Sequence, residues 1–370
     1  MTNKKFKLAA MSLATAVAVS AVGPSASAVT YYLGDGSVTV DKDDTRGAYS
    51  YQGEDGSEEH RTYVNEDEAD HGVINVKGGN APTEDVLPST DNSDNGTEET
   101  TPTDTTTDSS GNNAENSPTA ETTTGNTITV KEDVKDATIV VEGVNVDTST
   151  QTEVPVDAKE DKTIIKVGEG ADVDLTVKDS NLTTGGNGID IGVNLKDDDD
   201  NKETNVDLTL DNTKINLTEN ATAGINARDN SDVDITLKGD NTIDGSEAID
   251  KVTEGGGHDI SKDNVNIEGI RVGGEGASDS SDASEGANTK LTISGGVEKT
   301  ETAETDTEET ESSAGGSLTI SDTTGGLVMA DGSDVEITDG ANVTIEETKT
   351  SGSTQAGRGV TQHGDLTISG

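Results

Sequence analysis

Three aspartates occupy one position of a repeated phrase. Asp174 lies in Val173-Asp174-Leu175-Thr176-Val177, Asp207 in Val206-Asp207-Leu208-Thr209-Leu210, and Asp234 in Val233-Asp234-Ile235-Thr236-Leu237. Stacked copies of such a phrase set like carboxylates side by side at about 4.8 Å. Bare carboxylates that close repel one another, which raises their pKa values or draws in a cation. Calcium takes roughly six to eight oxygens from carboxylates, carbonyls and water, and such a ladder begins to supply them. Asp174, Asp207 and Asp234 are therefore the candidate metal ligands, with calcium the candidate cofactor. Screening of a solvated face by bulk salt is the plainer alternative.

The other chemistry-bearing residues form no familiar constellation. There is no cysteine, so no thiol nucleophile and no disulfide staple. The histidines (His60, His71, His258, His363) stand alone in polar contexts without metal-ligand spacing. Gly255-Gly256-Gly257 does not lead from a strand into a helix, which argues against a phosphate loop. Of five arginines, Arg46, Arg61, Arg228, Arg271 and Arg358, the last three are candidate bases for a polysaccharide lyase; a solvated coil position is the simpler account of each.

The repeated phrase is a strand. Branched apolar residues at every second position bury one face, and Asp and Thr face water. Such a strand cannot bury its apolar face alone. Recurrence of the unit after 33 residues (Asp174 to Asp207) and then 27 (Asp207 to Asp234) lets each copy cover its neighbour. Further short strand phrases, such as Lys214 to Leu217 and Gly224 to Ala227, fill each repeat. The expected fold is all-β, a right-handed parallel β-helix. An antiparallel sandwich is the runner-up, but it predicts more Asn-Gly and Asp-Gly hairpins than this core offers.

Four segments follow. Residues 1–28, with Lys4, Lys5 and Lys7 before an apolar run that ends at Ala26-Ser27-Ala28, read as a secretory signal peptide. Residues 29–80 carry all five tyrosines and read as a small N-terminal β module, a cap rather than a sugar-stacking platform. Residues 81–124 are almost free of apolar side chains and read as a disordered acidic linker. Residues 125–370 are the parallel β-helix, interrupted by polar runs at Asp197 to Thr204, Gly273 to Asn288 and Glu298 to Gly315, which a solenoid takes as outside loops.

Composition sets the class. A net charge of −49 argues against nucleic acid and anionic membranes as partners, and no segment after the signal is long enough to span a membrane. Apolar content of 28 % and aromatic content of 2 % suit a thin striped core better than one large globule.

The signal, the Val29-Thr-Tyr-Tyr-Leu33 entry, the low-complexity linker, Thr289-Lys-Leu-Thr-Ile-Ser-Gly-Gly296 and Gly316-Ser-Leu-Thr-Ile-Ser321 resemble secreted, adhesin-like or carbohydrate-binding β-helix repeat proteins of Gram-positive gut clostridia. The resemblance implies surface display, sugar contact and calcium, and carries over no catalytic residue. The expected function is a secreted or cell-wall-associated protein that binds polysaccharide or a surface glycan without catalysis. The alternatives are a polysaccharide lyase or glycoside hydrolase on the same scaffold, and a passive structural stalk or coat. The chain stops inside a repeat phrase, at Gly364-Asp-Leu-Thr-Ile-Ser-Gly370, so a longer protein or self-association at the C-terminal end is also expected.

Overall fold

The computed structural model describes residues 29–42, 49–52, 58–63, 73–80, 122–149, 162–195, 202–249, 267–274, 288–296, 315–346, 348 and 357–369. The signal peptide lies outside them, as does nearly all of the acidic linker. Three sheets of nine, ten and seven strands run the length of the molecule as a right-handed parallel β-helix. They are called sheets A, B and C below.

One coil visits the sheets in the order B, A, C. Asn187–Val193 lies in sheet B, Thr204–Asp211 in A and Lys214–Leu217 in C; the next coil repeats this with Ala223–Ala227, Ser231–Lys238 and Asp240–Asp244. Between these coils every pairing is parallel, and in sheet A the register is unbroken. In sheet A, Val173 aligns with Val206, Val233, Leu291 and Val335, and Leu175 aligns with Leu208, Ile235, Ile293 and Ile337. Val173, Leu175, Val206, Leu208, Val233 and Ile235 are all buried, as the alternation requires. Each such side chain contributes roughly 1.5–3 kcal/mol by leaving water.

Sheet C packs across the core onto sheet B, and glycine marks the contact. Each sheet-B strand of the later coils holds a glycine followed by an apolar residue, buried in all but the last: Gly188-Ile189, Gly224-Ile225, Gly269-Ile270, Gly326-Leu327 and Gly359-Val360. A Cβ on Gly224 would stand 2.6 Å from Cγ2 of Ile243 and 2.8 Å from the carbonyl oxygen of Gly269. The position is glycine because sheet C already fills the space. Where sheet A turns into sheet C, one left-handed residue makes the corner: Asp179 at φ 48°, Asn212 at 51° and Gly239 at 60°. Asn, Asp and Gly tolerate that conformation best, which explains their scatter through the repeat.

Most of the three polar runs falls outside the described residues, Thr204 of the first opens a strand, and the strands that flank the runs keep their pairing. Lys290–Gly295 still pairs with Ser231–Lys238, and Ser317–Ser321 with Asp240–Asp244. Residues 246–249 form a short helix after sheet C, and its Ala248 and Ile249 join the core.

The N-terminal segment is joined to the solenoid. Val29–Tyr32 pairs with Ile74–Lys77, which pairs with Ala137–Glu142 in sheet A; Ser37–Asp41 pairs with Ile128–Val130 in sheet B. Thr122–Thr124, at the end of the low-complexity stretch, pairs with Asn145–Asp147 in sheet C. The sheets thus run back to Val29, ahead of the start expected at residue 125, because Ser37-Val-Thr-Val40 and Ile74-Asn-Val76 bury the same alternate positions. Tyr31 points into the core. Tyr49–Gln52 and Glu58–Tyr63 form the one antiparallel pair among the described residues, at the outer end of sheet B. No helix among them is long and apolar enough to cross a membrane.

Candidate functional site

The acidic ladder exists. Asp174 aligns with Asp207, and Asp207 with Asp234, on the exposed outer side of sheet A. The column continues as Thr138 on one side and as Thr292, Glu336 and Thr367 on the other. A parallel column of hydroxyls, Thr176, Thr209, Thr236, Ser294 and Thr338, runs beside it. Asp207, in the middle, has its carboxyl pushed above the ordinary aspartate range. Lost hydration within the ladder comes first, then the charges of Asp174, Asp234 and Asp172, and a hydrogen bond with Asp174. Among the described residues no three carboxylates or imidazoles close on one metal position. Asp174, Asp207 and Asp234 are the residues that would hold calcium on this face, with water supplying the remaining oxygens.

Sheet B carries a second, denser constellation. The residue before each glycine and the second residue after it recur as a buried pair in each coil: Asn187 and Asp190, Ala223 and Asn226, Glu268 and Arg271. Parallel register stacks Lys166, Asp190, Asn226, Arg271, Val328 and Thr361 in one column. Asp190 is 1 % exposed and fully satisfied. Arg228 donates Nε to its Oδ1 and Nη2 to its Oδ2, both at 2.9 Å, and Asn226 and Asn187 donate their Nδ2 groups, also at 2.9 Å. Arg271 donates Nε to Glu268 Oε2 at 2.6 Å, and both side chains are buried. Fork-shaped guanidinium pairing of this kind is the geometry that arginine offers and lysine does not.

Arg271 and Arg358 lie on sheet-B strands, and Arg228 directly follows one. Arg228 and Arg271 are committed to carboxylates, while Arg358 is exposed beside Gly325, which in turn aligns with Glu268. Arg46 lies outside the described residues, and for Arg61 only the strand that carries it is described. His363 is exposed, with Nδ1 3.9 Å from Asp331 Oδ1. His71 and His258 lie outside the described residues.

Asp190, Asn187, Asn226 and Glu268 were not singled out from sequence. The available signal was the recurrent polar residue directly after a Gly-Ile pair: Gly-Ile-Asp, Gly-Ile-Asn, Gly-Ile-Arg.

At the corner between sheets B and A, Asp133 holds two cations. Lys42 Nζ is 2.9 Å and Lys202 Nζ 3.1 Å from its Oδ2. Partial burial raises the Asp133 pKa, and the two lysines outweigh it and leave it below the usual carboxylate range.

Compared with known protein families, with characterised proteins and with solved structures, the chain matches none.

Proposed function

We propose that the protein is a secreted or cell-surface β-helix that binds polysaccharide or a surface glycan without catalysis. The observation that supports this reading is the state of the sheet-B carboxylates. Asp190 and Glu268 are buried and each is neutralised by an arginine, so neither is a free acid or base. A row of carboxamides and guanidiniums held rigidly on strands suits hydrogen bonding to sugar hydroxyls. Calcium on the Asp174–Asp207–Asp234 ladder, wall association and self-association through the 357–369 coil, where Val360 and Ile368 are exposed, belong to the same reading. A glycan array probed with the chain from Val29 onward, in calcium and in chelator, tests it. Retention on a defined glycan without change to that glycan is the expected result; an array without a single retained glycan would overturn it.

One observation favours the lyase alternative: Arg228 and Arg271 sit at sheet B beside the carboxylates of Asp190 and Glu268. Release of unsaturated sugar ends from any uronate polymer would establish that reading instead.

A further inference from the structure

Asn226 is the one member of the sheet-B cluster whose hydrogen bonding is incomplete on its acceptor side. Its side chain is 5 % exposed, its Nδ2 is given to Asp190, and its Oδ1 is buried without a partner. A buried carbonyl left unpaired costs roughly 1–3 kcal/mol, so such a group calls for an explanation. With the amide nitrogen turned to Asp190, the oxygen is turned away from it. The adjacent coil on the other side places Arg271 in register with Asn226. Arg271 gives Nε to Glu268 and has no other bonded partner among the described residues, so its two terminal nitrogens remain as donors.

From this pairing we infer that Asn226 and Arg271 form a subsite for a hydroxyl group of an uncharged glycan. The inference rests on the glycan-binding reading above and narrows its ligand class. A hydroxyl can donate to Asn226 Oδ1 and accept from Arg271 at the same time. A ligand carboxylate satisfies Arg271 but meets the Asn226 oxygen and two fixed carboxylates, Asp190 and Glu268. An ammonium satisfies Asn226 but meets Arg271. The neutral donor–acceptor group is the one that leaves nothing unpaired, and the chain's net charge of −49 also repels polyanions at long range. Asn226 and Arg271 are both more than nine-tenths buried in the free protein, so binding includes an opening of this face.

The test titrates the chain from Val29 onward with neutral hexasaccharides (β-1,4-glucose, β-1,4-mannose, β-1,3-glucose) and with an α-1,4-galacturonate hexamer. Calorimetry measures affinity, and the Asn226 carboxamide resonances report contact without any substitution. Asn226→Ala and Arg271→Lys follow, the second keeping a cation beside Glu268. A neutral hexamer should shift the Asn226 signals, and each variant that retains its fold should weaken binding about tenfold. Binding of a neutral hexamer that leaves the Asn226 signals and both folded variants unaffected would overturn the subsite and leave the glycan-binding reading standing. Binding of the galacturonate hexamer alone would overturn the uncharged class. If none of the four binds, the reading beneath it fails for these sugars, and the subsite falls with it.

Discussion

Arg228 grips Asp190 with two parallel hydrogen bonds of 2.9 Å, from Nε and from Nη2, although 38 residues separate them in the chain. The pair joins two successive coils on the outside of sheet B. Its value is asymmetric: a buried pair adds little net stability, but loss of one partner strands a charge.

Arg228→Met should therefore destabilise the protein by about 3–5 kcal/mol, because Asp190 stays buried with only two amide donors. The double variant Asp190→Leu, Arg228→Met should recover much of that loss. Urea unfolding of all three chains checks the prediction, and equal losses in the single and double variants would contradict it.

Gly224→Ala should cost about 1–3 kcal/mol although alanine suits a strand at least as well. The added methyl meets Ile243 and the Gly269 carbonyl. Adding Ile243→Val removes Cδ1, 3.0 Å from the added methyl, but keeps Cγ2 and the Gly269 carbonyl, so it should return only a small part of the loss. A neutral result for the single variant in thermal unfolding would mean that sheets B and C do not pack this closely.

Asp133 should make folding stability depend on acid. Its folded pKa lies below the unfolded value, so the folded state binds that proton less readily. The stabilisation is complete above the ordinary aspartate range and is lost as pH falls through the lowered folded value. Asp133→Asn should thus lower stability at pH 7 by no more than about 1 kcal/mol, since Lys42 and Lys202 are partly solvated. Wild type and variant should converge in strong acid. A gap that persists there would assign the effect to the turn geometry instead.

The aspartate ladder should behave in the opposite sense. Asp207 has a raised folded pKa, so its charged form opposes folding at neutral pH, and the penalty fades as pH drops through that value and below the unfolded one. Asp207→Asn should raise the melting temperature at pH 7 in chelator and leave it nearly unchanged in acid. Millimolar calcium should raise the wild-type midpoint by ligand linkage and the variant's less. Identical midpoints in calcium and chelator would remove calcium from the account while leaving the ladder intact.

The sheet-A strands were legible because each carries its own evidence: Val206-Asp-Leu-Thr-Leu210 alternates strictly, and one side of the strand is solvated. Equal spacing within the phrase also set the Asp174, Asp207 and Asp234 register. Sheet B was harder to read. In Asn187–Val193 every residue is buried, so a polar Asp190 there gives no alternation to follow. Its burial depends on Arg228, a partner in the next coil that no local window contains. The place of Val29–Tyr32 and Ile74–Lys77 in sheet A was hidden for a similar reason. Their neighbour Ala137–Glu142 follows a long polar stretch, and only three-dimensional stacking brings them into register.

The in-register stacking has a mechanical consequence. Every inter-strand hydrogen bond in the three sheets runs along the solenoid axis, and each coil touches chiefly the coils before and after it. Tension applied between the two ends of the stack loads one coil boundary at a time, as in opening a zipper, instead of shearing all boundaries together. Under load the molecule would lengthen in steps, each releasing one coil's worth of chain, and the coils still stacked would keep their shape.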